Sequence, residues 1–412
     1  MTGRRPGEGG PRPSAPRRRR RRSGRRGLLV PLGVLALAAG VLASCSSSAG
    51  SPSADPASGT AGGLPPIPLT SSTVGSTTWA TLAMGHLDDP LNTFWQLLAL
   101  SGGSPWELAT PPGVASNGGI VATTGSTSVL AGFEPTNALR FSPVARSADE
   151  GSTWTPGILP TGMAPVPEAL ADSGDGHSLA LLRTSAGTVL GNDGDLSTWT
   201  SVTSANTLAS LPSSRGCHLT RLTAVAFDAS GTPLVGASCS RGGRAGIFAS
   251  TPTGWGSVGP GIPGGGSGPT EVIRLVQTAT ATGALVVAGE GANARVVALW
   301  SANGLRTWTV SAGRSLDGGV LLSTGTTVGA GFVIAIKGTD GSRSASDIAA
   351  SGTEWQSLAR LPTGTASVTG TPEGGYDALV SQQSTLVVYA LAGTGWGRVQ
   401  SLRVPIQYGS SG

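Results

Sequence analysis

Apolar and polar positions along this chain repeat one unit: an apolar run, a short turn, a second apolar run, a polar loop, a third run, then a turn rich in Gly, Ser or Thr that leads to a tryptophan. These tryptophans stand at 106, 154, 199, 255, 308, 355 and 396, with spacings of 48, 45, 56, 53, 47 and 41 residues. Fixed periods of this size mark repeat architectures. Each unit predicts a four-stranded meander whose fourth strand opens on the tryptophan. The second runs are WATLAM (79–84), SVLAGF (128–133), HSLALL (177–182), PLVGAS (233–238), ALVVAG (284–289), GFVIAI (331–336) and YDALVS (376–381). The third runs are FWQLLALS, PVARS, TVLGN, GIFAS, RVVALWS, DIAAS and LVVYALA. Both sets are apolar on both faces, as strands sandwiched between neighbouring sheets must be.

With 65 Gly, 29 Pro and 12% charged residues in 412, the chain is built for short strands joined by tight turns. The expected fold is all-β: a seven-bladed β-propeller of four-stranded antiparallel blades over residues 66–412, because closing a ring of such blades leaves only short, protected edges. A pair of two-sheet sandwiches is the alternative for the same runs.

The first 44 residues have the order of an export signal. A basic run (Arg17 to Arg22, then Arg25 and Arg26) precedes sixteen apolar or small residues from Leu28 to Ala43, short for a membrane span. The stretch ends in Leu42-Ala43-Ser44-Cys45, which resembles the bacterial lipobox and implies lipid on Cys45 after cleavage before it. An uncleaved signal anchor is the alternative. Ser23 to Leu29 also resembles a twin-arginine signal, leaving the export route open. Residues 45–65, mostly Ser, Ala, Gly and Pro, are too poor in large apolar side chains to bury a core and are expected to form a disordered, flexible tether. The expected address is the extracytoplasmic face of a cell membrane, held there by lipid.

The formal charge of +5 hides an asymmetry: eleven of the 27 basic residues precede residue 27. From Cys45 onward 16 Lys and Arg face 21 Asp and Glu, a net −5, so nucleic acid is not an expected partner. Two cysteines remain, Cys217 and Cys239, flanking two apolar runs around the turn at 228–232. In an exported hairpin they are placed for a disulfide; two buried thiols are the alternative.

Ser147-Ala148-Asp149-Glu150-Gly151-Ser152-Thr153-Trp154 resembles the Asp-box (BNR repeat) of sialidase-like β-propellers, and Ser301 to Trp308 is a degraded copy with Asn303 at the Asp position. The resemblance implies a structural turn between third and fourth strands, in which Ser147, Asp149, Gly151, Thr153 and Trp154 carry the motif. It does not imply an activity, because that turn occurs in hydrolases, assembly factors and binding proteins alike. A sialidase would also need an arginine triad, a Tyr–Glu pair and an acid/base Asp. The chain has only Tyr376, Tyr389 and Tyr408, none beside an obvious Glu. His86, His177 and His218 are scattered, so neither catalytic residues nor a metal site are expected and no cofactor is implied. The Asp172, Asp175 and His177 group and the 192–195 segment are expected to be turns.

The loops between second and third strands open on the face opposite the Asp-box turns. They hold Arg140, Arg183, Arg241, Arg244, Arg295, Lys337 and Arg343, seven of the 16 basic residues after Cys45. Long exposed loops collect charge for solvation alone; alternatively, these side chains grip an anionic or hydroxyl-rich ligand. The expected function is a non-catalytic binding or scaffolding module for an extracytoplasmic protein or envelope glycan. A divergent sialidase-like glycoside hydrolase is the alternative. A buried carboxylate pair on the loop face would favour the hydrolase, and a flat face of scattered arginines would favour binding.

Overall fold

The computed structural model describes residues 69–87, 93–111, 119–124, 128–133, 141–160, 167–182, 184, 187–264, 268–278 and 281–405. The expected signal peptide, Cys45 and the tether lie outside the described residues, as do Arg140 and Arg183.

The described chain is all-β, and each tryptophan-ended unit folds as predicted into antiparallel strands. The first meander comprises β1 (Leu69–Val74), β2 (Thr77–Gly85), β3 (Thr93–Ser101) and β4 (Glu107–Leu108). The second is β5 (Ile120–Thr124), β6 (Val129–Phe133), β7 (Phe141–Ser147) and β8 (Thr155–Pro160), and the third β9 (Ala169–Asp172), β10 (His177–Leu182), β11 (Thr188–Asp193) and β12 (Thr200–Ser204). The fourth is β13 (Leu219–Phe227), β14 (Pro233–Cys239), β15 (Gly246–Thr251) and β16 (Gly254–Ser257). The fifth is β17 (Thr270–Gln277), β18 (Thr282–Ala288), β19 (Arg295–Ser301) and β20 (Thr309–Val310), with β21 (Arg314–Ser315) also on β19. The sixth is β22 (Val320–Thr326), β23 (Phe332–Lys337), β24 (Arg343–Ile348) and β25 (Gln356–Ser357), and the seventh β26 (Thr365–Gly370), β27 (Tyr376–Gln382), β28 (Thr385–Ala392) and β29 (Gly395–Arg403). In the sixth unit the third strand comes earlier than the DIAAS run: it starts at Arg343, directly opposite Lys337, so both residues belong to the ladder.

Two sheets extend beyond one meander. β1 pairs in parallel with β22 through Leu69↔Ser323, Thr70↔Thr324 and Ser71↔Gly325, joining the first and sixth units. The end of β14 leaves β15 and pairs with the start of β17, through Ser238↔Glu271 and Cys239↔Thr270. Four of the first strands also share a bulge, with shifts at Leu222/Ala224 in β13, Val272/Arg274 in β17, Leu321/Ser323 in β22 and Thr365/Ser367 in β26. A bulge bends a strand and increases its local twist. At the first of them, Thr223 donates its hydroxyl to Val272 O of the next unit, 2.6 Å away.

The core is divided among the spaces between meanders. Leu130, Val144 and Leu159 of the second unit meet Leu170, Ala180 and Leu182 of the third. Leu285, Val296 and Trp300 of the fifth meet Phe332, Ile334 and Ile348 of the sixth. Leu82, Leu98 and Trp106 of the first meet Leu379, Leu386 and Val388 of the seventh. A sheet packed on both faces must be apolar on both, which explains the unbroken runs.

The tryptophans bind each unit to the one before it. Indole Nε1 donates to Ile158 O from Trp199 (3.1 Å), to Val258 O from Trp308 (2.8 Å), to Ala312 O from Trp355 (3.1 Å) and to Ala359 O from Trp396 (3.1 Å). Trp154 instead meets Trp79 edge to face, with ring centroids 6.3 Å apart. Trp106, in the first unit, donates to Asp377 Oδ2 of the seventh at 2.8 Å.

In the β7–β8 turn, Asp149 accepts from Thr153 N (2.8 Å) and Thr153 Oγ1 (2.6 Å), Ser147 Oγ accepts from Gly151 N (2.8 Å), and Gly151 takes φ +89°. The β19–β20 turn repeats this with Asn303 Oδ1 accepting from Thr307 N (3.0 Å), and Leu305 takes φ 68°. A third version in β11–β12 divides the work differently. Asn192 Oδ1 accepts from Leu196 N (3.1 Å) and Asp195 Oδ1 from Thr198 N (2.9 Å).

Cys217 and Cys239 form a disulfide across the β13–β14 hairpin, with Cα atoms 4.8 Å apart.

Candidate functional site

First strands of successive units face one another across a common space. Those of the first six units, β1, β5, β9, β13, β17 and β22, line a cavity of about 860 Å³, within the usual range for small-molecule sites. β26 is absent from the lining, because β1 has taken the place beside β22.

Charged side chains collect at one end of this cavity. Arg221 lies opposite Ser238, and Ser238 lies opposite Glu271, so the three stand abreast on β13, β14 and β17. Arg221 Nη2 donates to Glu271 Oε1 at 2.6 Å and Nη1 to Glu168 Oε1 at 3.3 Å. One guanidinium thus bridges carboxylates from the third and fifth units. Burial pushes the Glu271 pKa up, against the pull of Arg221. The disulfide fixes this end: Cys239 follows Ser238, and Leu219 faces Cys239 in the ladder. It is also the end at which the loops between second and third strands emerge, since β14 runs from here into 240–245 and β10 into 183–187.

Deeper in the cavity lies Arg274. Its Nη1 donates to Thr324 O (2.8 Å) and Thr324 Oγ1 (3.2 Å), and its Nη2 to Ser72 Oγ (2.7 Å) and Ser71 O. The residue ties β17 to the β1–β22 seam. Toward the far end, Asp172 is held by Arg146 at 2.9 Å and accepts from Gly174 N, so the Asp172–His177 segment is a turn braced by an ion pair. Among the described residues no group of three His, Cys, Asp or Glu is gathered to hold a metal ion.

The residues singled out in the loops occupy different positions. Arg244 donates to Gly259 O (2.8 Å), Arg295 to Pro263 O (2.7 Å) and Arg343 to Thr365 O, so three of the guanidinium groups brace neighbouring backbone. Arg241 and Lys337 are exposed. Tyr376 has an acid partner after all, donating to Asp347 Oδ2 at 2.6 Å. Burial, and then this bond, push its pKa up, away from a nucleophilic phenolate.

Glu168, Arg221, Glu271 and Arg274 were not singled out from the sequence, although a signal was there. In LTRLTAVAF and TEVIRLVQ charged residues interrupt runs apolar enough to be buried on both faces. A charge in such a strand has to point into a cavity or meet a partner.

No family model matches the chain, and no curated protein matches it. Among solved structures, it resembles a "putative 6-phosphogluconolactonase" from Bacteroides uniformis with a TM-score of 0.52 at 11% identity, over 80% of this chain and 98% of that one. A Bacteroides fragilis protein of the same description gives 0.48 at 11%, over 80% and 96%. The fungal lectin of Aleuria aurantia, described as a six-bladed β-propeller, gives 0.43 at 12%, over 72% and 95%. The first likeness is one of fold alone, and the other two carry no argument.

Proposed function

We propose that this chain is a lipid-anchored, extracytoplasmic seven-bladed β-propeller of the Asp-box kind that binds an envelope glycan without turning it over. Seven meanders, each packed on the next and the seventh on the first through Trp106, support seven blades. The hydrogen bonds of Ser147, Asp149, Gly151 and Thr153 support the Asp-box kinship. The leader and the Leu42-Ala43-Ser44-Cys45 sequence support the anchor.

The observation that carries a glycan ligand is the Glu168–Arg221–Glu271 bridge at the cavity mouth. A planar guanidinium held between two carboxylates offers donors and acceptors side by side, the pattern that vicinal hydroxyls satisfy. Exposed Arg241 stands on the adjoining loop, available to an acidic group on the same ligand.

One observation favours the hydrolase alternative: two largely buried carboxylates meet at this mouth, and burial pushes Glu271 up, as a general acid requires. Both carboxylates are engaged by the same arginine, which favours binding over proton transfer. A glycan array probed with the exported chain, with turnover assayed on the same sugars, separates the two. Retention that Arg221→Gln abolishes, without product, is the expected result. Product release that Glu271→Gln abolishes would establish the hydrolase, and silence on both would point to a protein partner.

A further inference from the structure

The cavity wall holds five charged side chains among the described residues. Four have opposite charges within reach: Glu168 and Glu271 share Arg221, and Asp172 has Arg146. Arg274 has none. All its acceptors among the described residues are neutral, two carbonyls and two hydroxyls. They engage both terminal nitrogens and hold the guanidinium still, but they leave its charge uncompensated. Burial accordingly pulls its pKa down to about 10, with no acid opposing the shift.

The wall around this cation mixes hydroxyls, among them Ser72 and Thr324, with apolar side chains. Val121, Ile273, Val276 and Leu321 are half-buried on the lining strands, and Val328, 49% exposed, stands in the turn after β22 at the end away from Glu168 and Glu271. A passage that sets a single fixed, uncompensated cation among apolar side chains and neutral hydroxyls favours an amphipathic anion: the charge needs a counterion, and the apolar side chains reward a hydrocarbon body. An inorganic anion would leave the wall wet, and a neutral chain would leave the charge unmet. The Val328 end of the cavity carries no unpaired acid among the described lining residues.

We propose that the cavity is a second binding site, separate from the rim, that holds a slender acyl carboxylate with its head group against Arg274 and its chain along Val121, Ile273, Val276 and Leu321. The test uses the full-length chain in a neutral detergent, with detergent alone as the blank, titrated calorimetrically with octanoate, octan-1-ol and octylammonium. Octanoate should saturate at one per chain, with the alcohol and the amine each bound at least about tenfold more weakly. In Arg274→Met, octanoate should bind no better than the alcohol. Equal binding of the three head groups, or no saturable octanoate binding, overturns the site. Because the head-group comparison is made on the wild-type chain, the outcome stands even if Arg274→Met fails to fold.

Discussion

Trp106 of the first meander donates its indole N–H to Asp377 of the seventh, 271 residues away, at 2.8 Å. The contact is doubled by Gln400, which accepts from Trp106 N (2.8 Å) and donates to Trp106 O (2.7 Å). In units three, five, six and seven the indole reaches back to a carbonyl of the preceding meander, and in the second Trp154 meets Trp79 edge to face. For the first unit a side-chain carboxylate in the seventh serves as the acceptor.

Asp377 therefore has opposing demands. Burial pushes its pKa up while the bond to Trp106 pulls it down, with burial dominant. An acid whose folded pKa is raised costs stability above that pKa, and the cost is relieved as pH falls toward the unfolded value. Asp377→Asn keeps an acceptor without the charge and should leave stability at pH 7 unchanged or slightly higher. Asp377→Ala orphans the indole and should cost about 1–3 kcal/mol. Urea unfolding between pH 4 and 7 checks both, and the Asn variant should show the flatter profile.

Asp149 behaves in the opposite sense. The Thr153 hydroxyl, then Thr153 N–H and Ser147, hold its carboxyl below the usual carboxylate range. Its contribution is therefore present above the unfolded carboxylate pKa and lost as pH falls through the folded one. Asp149→Ala should lower Tm at pH 7 and have little effect once the wild-type carboxyl is protonated, which melting curves across the acid range would reveal.

The space between second and third units is tightly filled. A Cβ on Gly157 would stand 2.3 Å from Leu196 Cβ and 2.6 Å from Leu196 O. Gly157→Ala should cost about 1–3 kcal/mol through overpacking, and Leu196→Ala, at a side chain 1% exposed, about 2–5 kcal/mol through the cavity it leaves. Equilibrium denaturation of the two variants and their double mutant should show strong coupling.

The disulfide spans a sequence separation of 22, for which chain entropy gives about 3 kcal/mol. Cys217→Ala with Cys239→Ala should lower the unfolding free energy by about that amount, read as a lower denaturation midpoint. It should also weaken glycan retention at the rim, because the bridge pins the strand ends that carry Arg221 and Ser238. Intact mass with and without reductant verifies the bond in the wild type.

Arg221→Gln should destabilise the fold by on the order of 2 kcal/mol, since it strands two largely buried carboxylates around a partly exposed partner. Adding Glu271→Gln should recover part of the loss, a rescue that denaturation of the double variant would show.

Much of the strand pattern was legible. Meanders, tryptophan positions and the Cys217–Cys239 pair all follow from local alternation of apolar runs and turns, which is a property of neighbouring residues. The Ser147–Trp154 turn was legible because every donor and acceptor is at its expected place. Its counterpart at Asn192–Trp199 was legible as a turn but not in its bonding: Asp195 is shifted by one position and Asn192 replaces the serine, so similar backbone bonds arise from a different spelling.

The candidate sites were much less legible. Arg244, Arg295 and Arg343 were read as loop charges, and charge in a loop carries no sign of the carbonyl it also braces. Glu168, Arg221 and Glu271 lie 53 and 50 residues apart. Their meeting depends on how successive first strands are set side by side, and that setting comes from the bulges and the β14–β17 pairing. Likewise, nothing near Arg274 in sequence announces Ser71 and Thr324. Repeat period and strand alternation are written locally, because turns and burial are decided over a few residues. Which inward-facing charges find partners, and which single cation is left without one, was decided only when strands from six repeats were brought around one cavity.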